Sequence, residues 1–180
     1  MSTTSIEYRK VVQHCKDIFI KKTKDYGTAW RILRLSSLTD QIYIKAQRIR
    51  SIQEKGTMMV DEDISSEFIA IVNYSIIALI QNNLPENSPM ELEVEQVEKL
   101  YDQYANDTLD LLMKKNHDYG EAWREMRISS ITDIILMKIF RVKQIEDNKG
   151  KTIISEGVDA NYQDMLNYSV FCLIKMGFAE

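Results

Sequence analysis

Apolar residues recur along this chain at spacings of three and four, and strict alternation with polar residues is rare, so the pattern predicts helices and no sheet. The first stripe, Tyr8, Val11, Val12, Cys15, Ile18 and Phe19, predicts a helix over about Ile6 to Asp25. A stretch from about Thr39 to Gln53 follows, and then an almost wholly apolar segment, Ser66 to Gln81. The same three-part pattern returns with the stripe Val97, Leu100, Tyr101, Tyr104, Leu111 and Leu112, then Thr132 to Glu146, then Ala160 to Met176.

The recurrence is literal. Residues 21–52 align without a gap on residues 114–145 with 17 identities in 32 positions, sharing the string KK..DYG.AWR..R.SS.TD.I..K..R...I. After a one-residue insertion near Gly150 the match resumes, pairing Glu62 with Glu156 and Asn73-Tyr74-Ser75 with Asn167-Tyr168-Ser169. Residues 1–84 are therefore read as repeat copy one, 85–91 as a linker and 92–180 as copy two. The expected architecture is an all-α tandem-repeat helical bundle with an internal pseudo-two-fold axis, the copies packed as one globular unit through their apolar third helices.

Composition narrows the function classes. With 23 basic against 27 acidic residues and a formal charge of −4, no global field draws the chain to nucleic acid or to a membrane, so any anion site is local. Two cysteines far apart fit free thiols and a cytoplasmic location. No signal peptide is evident, and the apolar run Phe68 to Ile80, interrupted by Asn73, reads as a core helix.

The repeated polar residues are the candidates for chemistry. Gly27 and Gly120 are helix stops in the left-handed conformation. Asp25 and Asp118 oppose the helix dipole just before them, which calls for a compensating partner, either Arg31 and Arg124 or a bound metal. Trp30 and Trp123 either plug the bundle or, with Tyr26 and Tyr119 and beside Arg31 and Arg124, stack a base and hold its phosphates. Arg34, Lys45 and Arg48, with Arg127, Lys138 and Arg141, form a cationic arc suited to charge-assisted bonds with phosphate or to a merely solvated face. Ser37-Leu-Thr-Asp40 and Ser130-Ile-Thr-Asp133 match a capping box, with metal ligation the second role for the aspartates. Asn73 and Asn167, in apolar helices, either pin helix register or contact a ligand.

At DYG.AWR..R.SS.TD...K..R followed by NYS, the chain resembles the DUF1599 family, nucleotide modification associated domain 1, over both copies. That family looks related to MazG-like proteins and, through them, to all-α nucleoside triphosphate pyrophosphohydrolases, which hold Mg²⁺ on acidic helices and release pyrophosphate. The resemblance implies a nucleotide or modified nucleotide as ligand and a monomer or homodimer. This chain has no EExxE segment, and each copy keeps half of the ExxD pair: copy one has Glu67 with Ala70, copy two Asn161 with Asp164. Two readings follow. In one, Glu67 and Asp164 meet across the axis to hold Mg²⁺, with Glu62, Glu156, Asp40 and Asp133 completing the shell. In the other, the metal centre has decayed and the protein binds a nucleotide without cleaving it, or is a non-catalytic interaction module.

Overall fold

A computed structural model describes residues 2–57 and 63–180 of the chain. Among them are six α-helices and no strand: α1 (Thr3–Tyr26), α2 (Leu35–Lys55), α3 (Ile64–Asn83), α4 (Val94–Tyr119), α5 (Ile128–Asp147) and α6 (Val158–Lys175). Each half is thus a three-helix unit, α1 to α3 and α4 to α6. In each, a short 3₁₀ turn, Ala29–Ile32 or Ala122–Glu125, bends the chain between the first two helices.

The turn follows from the DYG segment. Gly27 and Gly120 take φ of +69° and +62°, as the helix-stop reading requires, but with ψ of −152° and −151°. That is an extended mirror region rather than the left-handed helical well, and a side chain is strongly disfavoured there. The glycine reverses the chain and still closes the helix ladder, since its N–H donates to Thr23 O or Asn116 O at 2.8 Å.

The second helices begin earlier than the capping-box motif implies. Arg34 and Arg127 are the N-cap residues, and Arg34 O already accepts from the N–H groups of Ser37 and Leu38. Ser37 therefore lies within the first turn, and neither Asp40 nor Asp133 caps anything. Both reach the other copy instead. Asp40 pairs with Lys143 at 3.2 Å, and its counterpart Asp133 pairs with Arg50 at 3.4 Å. One turn away, the Thr39 hydroxyl meets Glu146 at 2.7 Å, and Gln53 donates to the Thr132 hydroxyl at 3.1 Å. These reciprocal contacts make α2 and α5 an antiparallel pair about the pseudo-two-fold axis.

The third helices form the centre. Phe68, Ile71, Val72, Ile76 and Leu79 of α3 and Tyr162, Met165, Leu166 and Val170 of α6 are all buried, each large side chain contributing roughly 1.5–3 kcal/mol. Asn82 and Asn83, at the end of α3, donate to Asp159 in the first turn of α6 at 2.8 and 2.9 Å. The two helices therefore run antiparallel, and the acid at the head of α6 suits its dipole. By length and composition α3 could cross a membrane, but 67% of its apolar window is buried inside the protein. On the far side α1 lies antiparallel to α4, joined by Lys16 to Asp102 at 2.9 Å and Arg9 to Asn106 at 3.0 Å.

Candidate functional site

Each repeat copy opens a cleft between the end of its first helix, the 3₁₀ turn and the middle of its third helix. The cleft of copy one, about 440 Å³, is walled by Lys22, Tyr26, Trp30, Ala70, Asn73 and Tyr74. That of copy two, about 390 Å³, is walled by the equivalent Lys115, Tyr119, Trp123, Asp164, Asn167 and Tyr168, with Lys138 added.

The tyrosines of the DYG segments stand at the mouths with their rings uncovered, Tyr26 60% and Tyr119 78% exposed. The tryptophans do not. Both are buried; Trp123 stacks on Phe171 at 4.2 Å with 6° between the planes, while the Arg124 guanidinium lies 4.4 Å from the same ring centre. Two groups that close must occupy opposite faces, so no face of Trp123 is left for a base. Trp123 is a plug, Trp30 is similarly buried, and Tyr119 and Tyr26 are the exposed aromatic surfaces of the two clefts.

The two floors differ. In copy two Asp164 accepts from Lys115 and Lys138, both at 2.8 Å, and Lys138 is itself largely buried. The neighbouring Tyr168 hydroxyl is pushed above its ordinary pKa by burial and further by the Asp164 charge, against the opposing pull of Lys115. Asn167 is buried, and its Oδ1 has no partner among the described residues. In copy one Ala70 replaces Asp164, and Lys45, the equivalent of Lys138, turns to Glu67 at 3.5 Å alongside Arg48 at 2.9 Å. Asn73 is occupied in fixing register: it donates to Cys15 O at 3.1 Å and accepts from the Tyr101 hydroxyl at 2.8 Å. The first cleft is therefore apolar at its base and the second is charged.

Several residues that the pattern nominated stand elsewhere. Arg31 ties the linker down, donating to Pro89 O and Ser88 O at 3.1 and 3.0 Å and to the Gln81 side chain. Arg124 is held by Glu7 and Glu121, which raise its already high pKa. Neither arginine compensates Asp25 or Asp118; both aspartates are exposed, and Asp118 lies 3.1 Å from His117. Arg34 and Arg127 are exposed at the starts of α2 and α5. Arg141 lines a separate groove beside the second cleft, together with Glu156.

The acids named for Mg²⁺ do not converge. Asp159 touches the end of α3, so Asp164 lies one turn inward from there, whereas Glu67 is at the opposite end of α3. About ten residues separate their levels, or roughly 15 Å of helix rise. Each carboxylate is bound to cations of its own copy, Asp40 and Asp133 face cations across the axis, and Glu62 lies outside the described residues. Among the described residues no three Asp, Glu, His or Cys side chains are placed to hold a metal ion. Mg²⁺ takes near-octahedral oxygen coordination, and this donor set does not fit it.

Pattern reading missed Lys22 and Lys115, Tyr74 and Tyr168, although all four lie inside the repeated KK and NYS strings. Repetition is the signal they carry in the sequence, the same signal that the adjoining glycines and asparagines carry.

Fold and site together define an all-α tandem repeat with one cleft per copy, divergent at its floor. The sequence model of the family described as nucleotide modification associated domain 1, DUF1599, matches residues 22–82 and again residues 115–176. The chain belongs to that family and carries its domain twice. No curated protein and no solved structure matches it significantly.

Proposed function

We propose that the cleft of copy two binds a nucleotide, one per chain. The observation that carries this reading is the pairing of an uncovered aromatic ring, Tyr119, with a buried carboxylate held between two lysines in one cleft. A base stacks on the ring with a gain of roughly 1–3 kcal/mol. Asp164 accepts from an exocyclic amine or a sugar hydroxyl. Lys115 and Lys138, which Asp164 aligns, donate to phosphate, each charge-assisted bond contributing about 1.5–3 kcal/mol. The family's association with nucleotide modification supports the ligand class.

The reading stops at binding. Hydrolysis of a phosphoanhydride in the manner of the pyrophosphohydrolases needs a hard cation on several oxygen ligands, and among the described residues the one acid lining this cleft is already bound to two ammonium groups. Calorimetric titration with a panel of nucleosides, monophosphates and triphosphates, including modified bases, tests it. Binding near one equivalent, weakened about 10-fold or more by Lys138→Met, is expected. Absence of binding by every member of the panel contradicts the proposal.

A further inference from the structure

Beside Lys138 lies an open surface groove of about 770 Å³, lined among others by the exposed Arg141, Lys151, Thr152 and Ser155 and by the buried Asn161. Lys138 lines both this groove and the cleft, so the two adjoin. Its meaning comes from the other copy. At the equivalent place in copy one the Glu67 carboxylate, only 2% exposed, is gripped by Lys45 and Arg48. One turn earlier the Asp63 side chain caps α3 by accepting from the Ser65 N–H.

Copy two has lost both carboxylates and kept the equivalents of the two cations that grip Glu67, of which Lys138 now binds Asp164. Asn161 stands for Glu67 and Gly157 for Asp63, so α6 begins with no side-chain cap. Lys138 and Arg141 stand for Lys45 and Arg48. Arg141 is exposed, has no ion pair among the described residues, and lines the groove. Asn161 is buried, with its amide donating to Gly157 O at 3.0 Å, so a neutral side chain stands where copy one has its carboxylate, while Asp159 in the first turn of α6 is taken up by Asn82 and Asn83. Glu156, the acid on the rim, is exposed.

We propose that this groove is an anion subsite that takes a phosphoryl group in the position copy one fills with its own Glu67 carboxylate. The ligand's oxygens replace that carboxylate between Arg141 and Lys138, at the uncapped N-terminus of α6. Because Lys138 is shared, the subsite is the phosphate end of the nucleotide site; to that extent it rests on the nucleotide reading, but its chemistry is tested separately.

The test uses pyrophosphate alone as the probe, with a nucleoside lacking phosphate as the control, on the full chain and on Asn161→Glu. The substitution restores the carboxylate of copy one. Pyrophosphate affinity should fall about 10-fold or more, thermal stability in the absence of ligand should hold or rise, and nucleoside affinity should stay within about 2-fold. Should Asn161→Glu fail to fold, Arg141→Gln carries the same expectation for pyrophosphate. Pyrophosphate bound by the wild type and lost in the variant upholds the subsite even if no nucleoside binds, an outcome that would sink the nucleotide reading alone. No pyrophosphate binding at millimolar concentration, or undiminished binding by the folded variants, overturns the subsite.

Discussion

The two clefts share their walls and differ in where the charge sits. In copy one the acid is Glu67, one turn nearer the start of the third helix, and it draws Lys45 and Arg48 away from the cleft, leaving an apolar floor around Ala70 and Ile77. In copy two the acid is Asp164, on the cleft itself, and it draws Lys138 and Lys115 inward. A displacement of one helical turn in a single carboxylate thus redirects the same lysine and changes what each cleft can hold. A tandem repeat tolerates this because the core, the reciprocal α2–α5 contacts and the glycine turns do not involve those positions.

The largest expected effect sharpens the contrast between the arginines. Arg48→Met removes the nearest partner of a buried carboxylate and should destabilise the fold by about 2–4 kcal/mol in chemical denaturation. Arg141→Met, at the equivalent place in copy two, should stay within about 0.5 kcal/mol because no buried acid depends on it. Equal losses would mean that the copies use these residues alike.

A smaller effect separates Glu146 from its counterpart Gln53. Burial first, then the charges of Asp40 and Asp147, raise the Glu146 carboxyl above its ordinary value of 4.5, against hydrogen bonds from Thr39 and Tyr162. The folded state then holds that proton at a higher pH than the unfolded chain. This group's contribution is therefore unfavourable above its folded-state pKa, and stability rises as pH falls from there toward the unfolded value. Glu146→Gln should be more stable than the wild type near neutral pH, with the difference shrinking through that window on acidification, as thermal melts at a series of pH values would read. A difference constant with pH would refute the assignment.

The smallest concerns the reciprocal surface pairs. Asp133 and Arg50 are both well exposed, so Asp133→Asn should change stability by no more than about 0.5 kcal/mol, less still in high salt. A loss of 2 kcal/mol or more would show that the pair holds the copies together, which is a role we assign to the apolar α3–α6 contact.

Much of the fold was legible because its signals are local and repeated. The stripe from Tyr8 to Phe19, the apolar third helices and the glycine stops each predict their element directly. The start of α2 was not, because Ser37-x-x-Asp40 carries the residues of a capping box while the upstream Arg34 carbonyl already accepts from the N–H groups of Ser37 and Leu38. The site was legible as residue types but not as partnerships. Repetition singled out Arg31 and Arg124 as strongly as Lys138, yet Arg31 ties the linker and Arg124 ties α1, contacts that depend on segments far away in sequence. The loss of Glu67 in one copy and of Asp164's equivalent in the other was visible, but their meeting across the axis was an expectation that the register of the antiparallel third helices, set by Asn82 and Asn83 on Asp159, does not permit.

The central claim is that the copies have parted, leaving one nucleotide cleft in copy two. Calorimetric titration of a nucleoside triphosphate into Tyr119→Ala and Tyr26→Ala tests it most directly, since both rings are exposed and neither supports the core. One site per chain is predicted, weakened about 5-fold or more by Tyr119→Ala and unchanged by Tyr26→Ala. Two equal sites, or a loss that follows Tyr26, would contradict the account.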